Sequence, residues 1–125
     1  MGAPDGIDVY FDNVGGKTLE AALSALKIHG RIIACGGISG YNDEKPLPGP
    51  SNYFNIIGKR LTIRGLIVGD WLDHHDEFQK EVGGYLQAGT LKNKETIVQG
   101  IDKAVEAFIG LFGGQNVGKM VVKLT

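Results

Sequence analysis

The sequence predicts an α/β fold that contains one half of a doubly wound parallel sheet, and two observations lead to this prediction. The first is the run Arg31–Ala34, whose isoleucines show no polar–apolar alternation and lead directly into the glycine-rich stretch Cys35–Tyr41. Continuous apolar runs are typical of strands buried on both faces of a sheet. The second is a helical segment, Lys17–Ile28, which joins this strand to an earlier one, Ile7–Phe11. Two apolar strands joined by a helix form a parallel crossover unit.

Each of these first elements is predicted from local spacing. The strand Ile7–Phe11 is rich in β-branched and aromatic residues. Leucines and alanines recur three and four positions apart in 17–28, and Gly30 follows in the usual place after a helix. The prolines of the stretch 42–50 exclude a helix or a central strand, so we expect a surface loop there.

The second half of the chain continues to alternate between helix and strand patterns. The predicted elements are a short helix at 53–60, a strand at 61–68, a helix at 73–88, a strand at 95–100, a helix at 101–112 and a strand at 119–125. Two helices carry apolar stripes that we expect to face a core: Phe78, Val82, Tyr85 and Leu86 in the first, and Ile101, Ala104, Val105, Phe108, Ile109 and Phe112 in the second. The pattern changes at Leu91, which predicts one domain at 1–91 and a second segment at 92–125.

Composition excludes several classes of function. The net charge is −1 and there is no basic run, so we expect no nucleic-acid partner. No apolar stretch is long enough to span a bilayer, so we expect no membrane association. The single cysteine cannot form an internal disulfide and suits a reducing, cytoplasmic location.

The turns after the first two strands are the candidate functional site. Because the carboxyl ends of parallel strands meet at one edge, Asn13 and Gly36 are expected to line one cleft, where ligands of such sheets bind. Ordinary structural interpretations remain open: Asn13 can stabilise a turn, Cys35 can be a small buried residue, and Tyr41 can cover the proline loop. The pair His74 and His75 suggests a solvated helix start, since adjacent residues do not share a helix face, so we expect no metal.

One expected motif is missing. Dinucleotide-binding sheets hold phosphates with G-x-G-x-x-G between the first strand and helix, and no stretch of this sequence has that spacing. We therefore expect the chain to be the carboxyl-terminal piece of a longer polypeptide.

Four blocks of residues resemble the leukotriene B4 dehydrogenase, prostaglandin reductase and NADP-dependent alkenal reductase branch of the medium-chain dehydrogenases/reductases. They cover nearly all of 6–124, in the order found in that family. The blocks are Val9–Gly16, then Cys35–Asn42 with Pro46-Leu47-Pro48-Gly49-Pro50, then Gly65–Val68, and finally Asn116–Val122.

The resemblance implies a zinc-independent, NADPH-dependent reductase of the C=C bond of α,β-unsaturated ketones and aldehydes. It implies that 1–91 is the carboxyl-terminal half of a Rossmann-type domain and that 92–125 returns to a catalytic domain. Tyr41 would be catalytic, donating to the developing enolate. The cofactor contacts it implies are Asn13, Cys35, Gly36, Gly37, Ile38, Ser39, Gly40, Tyr41, Leu66, Ile67, Val68 and Asn116.

Two further expectations follow from the resemblance. The phosphate loop and the residues that recognise the adenosine phosphate have no positions here, so we expect this chain alone not to bind NADP(H) and to be inactive. The strand at 61–68 is expected to pair across a homodimer, which leaves an alternative: a non-catalytic dimerisation or binding module derived from the same fold.

Overall fold

The computed structural model describes residues 3–46 and 48–125, and its elements alternate between strands and helices. Leu47, part of one block of the family resemblance, lies outside the described residues. The elements are β1 (Ile7–Asp12), α1 (Gly16–Ala25), β2 (Leu26–Ala34), α2 (Phe54–Gly58), β3 (Thr62–Gly65), α3 (His75–Gln87), β4 (Glu95–Gln99), α4 (Ala104–Phe112) and β5 (Lys119–Lys123). Short 3₁₀ segments lie at Ile38–Gly40, Val68–His74 and Ile101–Lys103. No helix among the described residues is long and apolar enough to cross a membrane.

The chain forms two compact units, which divide between Leu72 and Asp73. The first contains a three-stranded sheet in the order β1-β2-β3, and the second contains the pair β4-β5. All strand pairs are parallel, which confirms the predicted α/β fold class. The predicted domain boundary at Leu91 stays a prediction.

The core of the first unit lies between α1 and the sheet. Leu23, Leu26 and Ile32 are buried, and five further side chains pack against them: Ile7, Tyr10, Leu19, Ile56 and Leu61. Full burial of one such aliphatic side chain stabilises a fold by about 1.5–3 kcal/mol. Helix α1 is therefore packed on the sheet through the apolar residues, three and four positions apart, from which the helix was predicted.

The boundary between α1 and β2 differs from the prediction. The helix ends at Ala25 instead of Ile28, and β2 begins at Leu26, whose backbone is extended. Lys59 explains the early end, because its Nζ donates to the carbonyl oxygens of Leu23 and Ser24, at 3.0 and 2.7 Å. In a continued helix those two oxygens would accept from the next turn.

His29 and Gly30 consequently lie inside β2 and do not close a helix. His29 has a positive φ of 63°, and its N–H donates to the Lys59 carbonyl at 2.8 Å. The register between β1 and β2 shifts at this point, so β2 carries extra residues opposite Ile7–Val9. The prediction for 26–30 was wrong because a distant lysine decides where the helix stops.

The second unit buries a different helix face from the one predicted. Ala107 and Gly110 of α4 are its buried residues, whereas Val105, Phe108 and Ile109 are 70%, 62% and 62% exposed. The same prediction fails for Ile101 and Phe112, and in α3 for Phe78, Tyr85 and Leu86, all of which are exposed. Helix α4 contacts β5, yet its large apolar side chains remain exposed.

Candidate functional site

The carboxyl ends of β1, β2 and β3 lie side by side. Asp12, the last residue of β1, is paired with Ala34, the last of β2, and Ala34 is paired with Gly65, the last of β3. The turns that follow the three strands therefore start at one edge of the sheet, as expected from parallel pairing. The Leu66 N–H extends this edge by donating to the Ala34 carbonyl at 2.9 Å.

The first two turns are joined by backbone hydrogen bonds. The N–H groups of Cys35 and Gly36 both donate to the Asp12 carbonyl oxygen, at 2.9 and 3.0 Å. Ile38 N–H donates to the Asn13 carbonyl at 3.1 Å. The glycine-rich turn thus lies directly against the Asn13 turn, and the two form a single surface.

Ser39 completes this connection with two bonds to one oxygen. Its N–H donates to the Val14 carbonyl at 3.1 Å, and its Oγ donates to the same oxygen at 2.6 Å. We call the surface formed by 12–16 and 35–41 the joined turns. Its backbone geometry is fixed by bonds from one turn to the other.

The buried side chain of Asp12 stabilises the joined turns. It is 3% exposed, and its Oδ1 accepts from the Tyr10 hydroxyl at 3.0 Å and from the N–H groups of Val14 and Gly15 at 3.0 and 2.9 Å. Burial and the Asp12 carboxylate raise the pKa of Tyr10, which keeps its hydroxyl a neutral donor. Asp12 is not among the site residues predicted from the sequence. The signal was an aspartate at a strand end followed by Val14-Gly15-Gly16, a pattern in which the side chain bonds the backbone two and three residues on.

Two polar groups of the joined turns remain available to a ligand. The Asn13 side chain is exposed, and its amide has no hydrogen-bond partner among the described residues. Tyr41 is 69% exposed, and its hydroxyl oxygen accepts from Gly37 N–H at 3.3 Å. Since that bond uses a lone pair of the phenol, the phenolic proton remains free to be donated.

Glycines keep the backbone of this edge open. A Cβ built at Gly37 or at Gly65 would meet no atom within 4 Å, so nothing described covers the backbone at these two points. By contrast, a Cβ at Gly36 would lie 3.2 Å from the Asn13 carbonyl oxygen and 3.3 Å from the Tyr41 hydroxyl. Gly36 therefore allows the two turns to approach, while Gly37 and Gly65 leave room for a flat group.

The remaining predicted contacts are placed less closely. Ile67 and Val68 follow the edge residue Leu66 and are exposed, but Val68 begins a 3₁₀ segment and does not end the strand as predicted. Asn116 lies in the second unit, in the loop before β5, where its Nδ2 donates to the Gly118 carbonyl at 2.6 Å. The roles predicted for these residues stay predictions.

A groove of about 330 Å³ lies beside the joined turns, between the start of α1 and the proline loop. Its lining includes Lys17, Glu20, Ser39, Pro48 and Pro50. The Lys17 ammonium, 2.8 Å from Glu20, together with the Ser51 N–H, lowers the pKa of the Glu20 carboxyl to about 2. This carboxylate ties the end of the proline loop to α1.

No three histidine, cysteine, aspartate or glutamate side chains come together as a potential metal site within 3–46 and 48–125. His74 lies 3.2 Å from Glu77 and is part of an exposed helix start.

The comparison with protein families matches residues 1–84, which contain the whole of the joined turns, to the zinc-binding dehydrogenase family. The chain belongs to this family. The resemblance to its prostaglandin reductase and alkenal reductase branch is also confirmed by individual relatives.

The family relatives cover nearly all of this chain. It is 42% identical over 122 residues to the NADP(+)-dependent 2-alkenal reductase of Nicotiana tabacum, covering 98% of this chain and 35% of that protein. It is 40% identical over 123 residues to prostaglandin reductase 1 of Bos taurus, covering 97% of this chain and 37% of that protein. The chain thus spans about a third of the length of these relatives.

A solved structure agrees with the fold. CurA from Vibrio vulnificus, solved in complex with NADPH, is 38% identical and superposes with a TM-score of 0.82, covering 97% of this chain and 37% of that one. The fold is therefore the carboxyl-terminal, parallel-stranded part of a Rossmann-type dehydrogenase.

Proposed function

We propose that this chain forms the nicotinamide-side wall of a zinc-independent, cytoplasmic, NADPH-dependent reductase of the C=C bond of α,β-unsaturated ketones and aldehydes. The observation that carries the proposal is the joined turns, which present the free Asn13 amide and the Tyr41 hydroxyl at the carboxyl edge of the sheet. The names of the tobacco and bovine relatives and the NADPH in the CurA structure support it.

The residues present fit a nicotinamide group. Open backbone at Gly37 and Gly65 leaves space for a flat ring. Next to that space, the exposed Asn13 amide can both donate to and accept from a carboxamide. Further holding groups would be the turn Cys35–Gly40, the backbone of 66–68 and Asn116. Bound NADPH would supply a hydride to the β-carbon of the enone.

Tyr41 has the geometry of a polarising donor. Its oxygen accepts from Gly37 N–H, which orients the phenol and leaves its proton free for a substrate carbonyl oxygen. As negative charge develops on that oxygen, the hydrogen bond strengthens, and this selectively stabilises the transition state. The exposed position of the ring makes the hydroxyl accessible to a small substrate.

The test is Tyr41→Phe in the complete protein, assayed for NADPH oxidation with 2-alkenals and enones. We expect kcat to fall by about 100-fold, the lower end of the range for a positioned proton donor, with the NADPH dissociation constant changed less than about threefold. Tyr53→Phe is the matched control, since Tyr53 is similarly exposed at 60% and lies outside the joined turns.

Three results would count against the proposal. Unchanged turnover in Tyr41→Phe would remove Tyr41 from catalysis. Loss of activity after exhaustive chelation, restored by zinc, would contradict zinc independence. Tight NADPH binding by this 125-residue chain alone would contradict the expectation that further parts of the protein hold the cofactor.

We also propose that the protein is a homodimer paired along β3. Thr62–Gly65 is bonded to β2 on one side, and its four residues are exposed, with no second strand partner among the described residues. An open edge of this kind pairs readily with another chain. Sedimentation of the wild-type protein should give twice the monomer mass. In Ile63→Pro the measured mass should fall to that of the monomer. A wild-type protein that sediments as a monomer would contradict this proposal. A dimer without enone reduction would instead favour the non-catalytic module.

A further inference from the structure

Asp12 is buried although it is charged, and it forms hydrogen bonds to both of the joined turns. Among the described residues it is the buried charged one, and it is the first residue of the joined turns. Its carbonyl oxygen receives the N–H groups of Cys35 and Gly36, while its carboxylate receives those of Val14 and Gly15. A single residue therefore bonds both turns.

Asn13 is held on both sides by these contacts. The preceding residue is Asp12, the following Val14 N–H is bound to the Asp12 carboxylate, and the Asn13 carbonyl accepts from Ile38. The backbone of Asn13 thus has little freedom, and its side chain is the part left exposed. The direction of the Asn13 amide is set by the backbone that Asp12 holds.

Tyr10 supports the carboxylate from the sheet. Its hydroxyl donates to the same Oδ1, and its ring packs against the core cluster of Leu23, Leu26 and Ile32. The hydrogen-bonded oxygen is consequently tied to the rigid part of the first unit. Charge-assisted bonds of this kind are stronger than neutral ones, which suits a group that must hold a turn in one geometry.

We propose that Asp12 is a positioning residue that aims the Asn13 amide at the nicotinamide group. The inference rests on the proposed function, because it takes Asn13 as a cofactor contact. We assign Asp12 no contact of its own with cofactor or substrate, because it is buried.

The test is a double-mutant cycle in the complete protein, with NADPH binding followed by cofactor fluorescence. Asp12→Ala should weaken NADPH binding about tenfold or more, because a displaced contact loses most of its value. In an Asn13→Ala background the same substitution should change binding less than about twofold, since Asp12 then has nothing to position. Hydrogen exchange at Val14 and Gly15 should rise in Asp12→Ala whether or not cofactor is present, because the carboxylate accepts from their N–H groups, whereas Cys35 and Gly36 keep their bonds to the main-chain carbonyl.

Conservative substitutions separate positioning from general stability. Asp12→Asn keeps an acceptor oxygen for Val14 and Gly15 and should bind NADPH within about threefold of wild type. If Asp12→Ala does not fold, Asp12→Ser takes its place in the cycle. Additive effects of Asp12 and Asn13 substitutions, or unchanged binding in Asp12→Ala, would overturn the inference while wild type stays active. A wild-type protein that binds no NADPH and reduces no enone would instead overturn the proposed function.

Discussion

The two units are both built from parallel strands and a helix, yet they are stabilised differently. The first buries Leu23, Leu26 and Ile32 between α1 and its sheet. In the second, the buried helix residues are Ala107 and Gly110, both small. Burial of large aliphatic side chains is the dominant favourable contribution to folding. Side-chain burial therefore stabilises the first unit more than the second, although both contain parallel strands and a helix.

The second unit relies more on backbone geometry. Gly100 and Gly118 flank its strands with positive φ values of 89° and 75°. Thr96 bonds Val117 twice, accepting from its N–H at 2.9 Å and donating to its carbonyl at 3.1 Å. The joined turns are therefore supported by a packed core, whereas the Asn116 loop depends on turn residues and hydrogen bonds.

The largest expected difference comes from the same substitution made in each unit. Leu23→Ala removes a fully buried side chain and should lower the free energy of unfolding of the first unit by about 2–5 kcal/mol. Leu111→Ala is the matched control in α4, where the side chain is 41% exposed, and should cost less than about 1 kcal/mol. Hydrogen exchange of peptides from each unit, measured in increasing urea, reports the two costs separately. Equal losses would show that the second unit has a core that its exposure values do not reveal.

A smaller loss of stability is expected in the second unit from a substitution at a turn outside any core. Gly118→Ala places a Cβ against the Lys94 carbonyl oxygen at a positive φ, and we expect a cost of about 2–3 kcal/mol. Gly114→Ala is the control, because its φ of 66° is similar but no atom lies within 4 Å of the new Cβ, so the cost should be about 1 kcal/mol. Exchange of the Lys119 amide, which donates to the Lys94 carbonyl at 2.9 Å, measures both. Indistinguishable variants would argue against the close approach of Gly118 to Lys94.

The first unit was also the more predictable from sequence, for a physical reason. Its strand–helix–strand order and the shared edge of the Asn13 and Gly36 turns follow from apolar runs, turn residues and the rule that parallel strands end together. The end of α1 could not be predicted in this way, because it depends on Lys59, whose Nζ donates to the carbonyl of Ser24, 35 residues away in sequence. Local propensity contains no information about such a contact.

The second unit shows the limit of periodicity. The helical stripe of Val105, Phe108 and Ile109 predicts a buried face, but these side chains are exposed in the structure. In the structure Ala107 and Gly110 are the buried residues of α4, and the side chain of Gln115 lies against Gly110. In the candidate site, the parallel topology predicted that the Gly36 turn lies beside Asn13. The role of the Asp12 side chain is visible only in the structure, where its Oδ1 accepts three hydrogen bonds.

The smallest expected effect is electrostatic and belongs to the first unit. Lys17, first, and then Ser51 lower the pKa of Glu20 from its ordinary value of 4.5 to about 2. A carboxyl whose pKa is lower in the folded state stabilises the fold above its unfolded pKa, and that contribution is lost as the pH falls through the folded pKa. Unit-one stability should therefore decline between pH 4.5 and 2 in wild type, and Glu20→Gln should flatten this part of the profile.

Lys17→Met separates the two causes of the Glu20 shift. It removes the ammonium but keeps the Ser51 N–H, which donates to Glu20 Oε1 at 2.8 Å. The decline should therefore begin near the same pH as in wild type, but be smaller and end at a higher pH, without disappearing. Adding salt should reduce the difference between Lys17→Met and wild type, because the Lys17 ammonium is 90% exposed. A Glu20→Gln profile identical to wild type would mean that the proline loop is tied to α1 by the neighbouring bonds of Asn52, whose Nδ2 donates to the Glu20 carbonyl and to Ser24 Oγ. In that case the carboxylate would contribute geometry and no pH dependence, and the first unit would rest on its core and backbone alone.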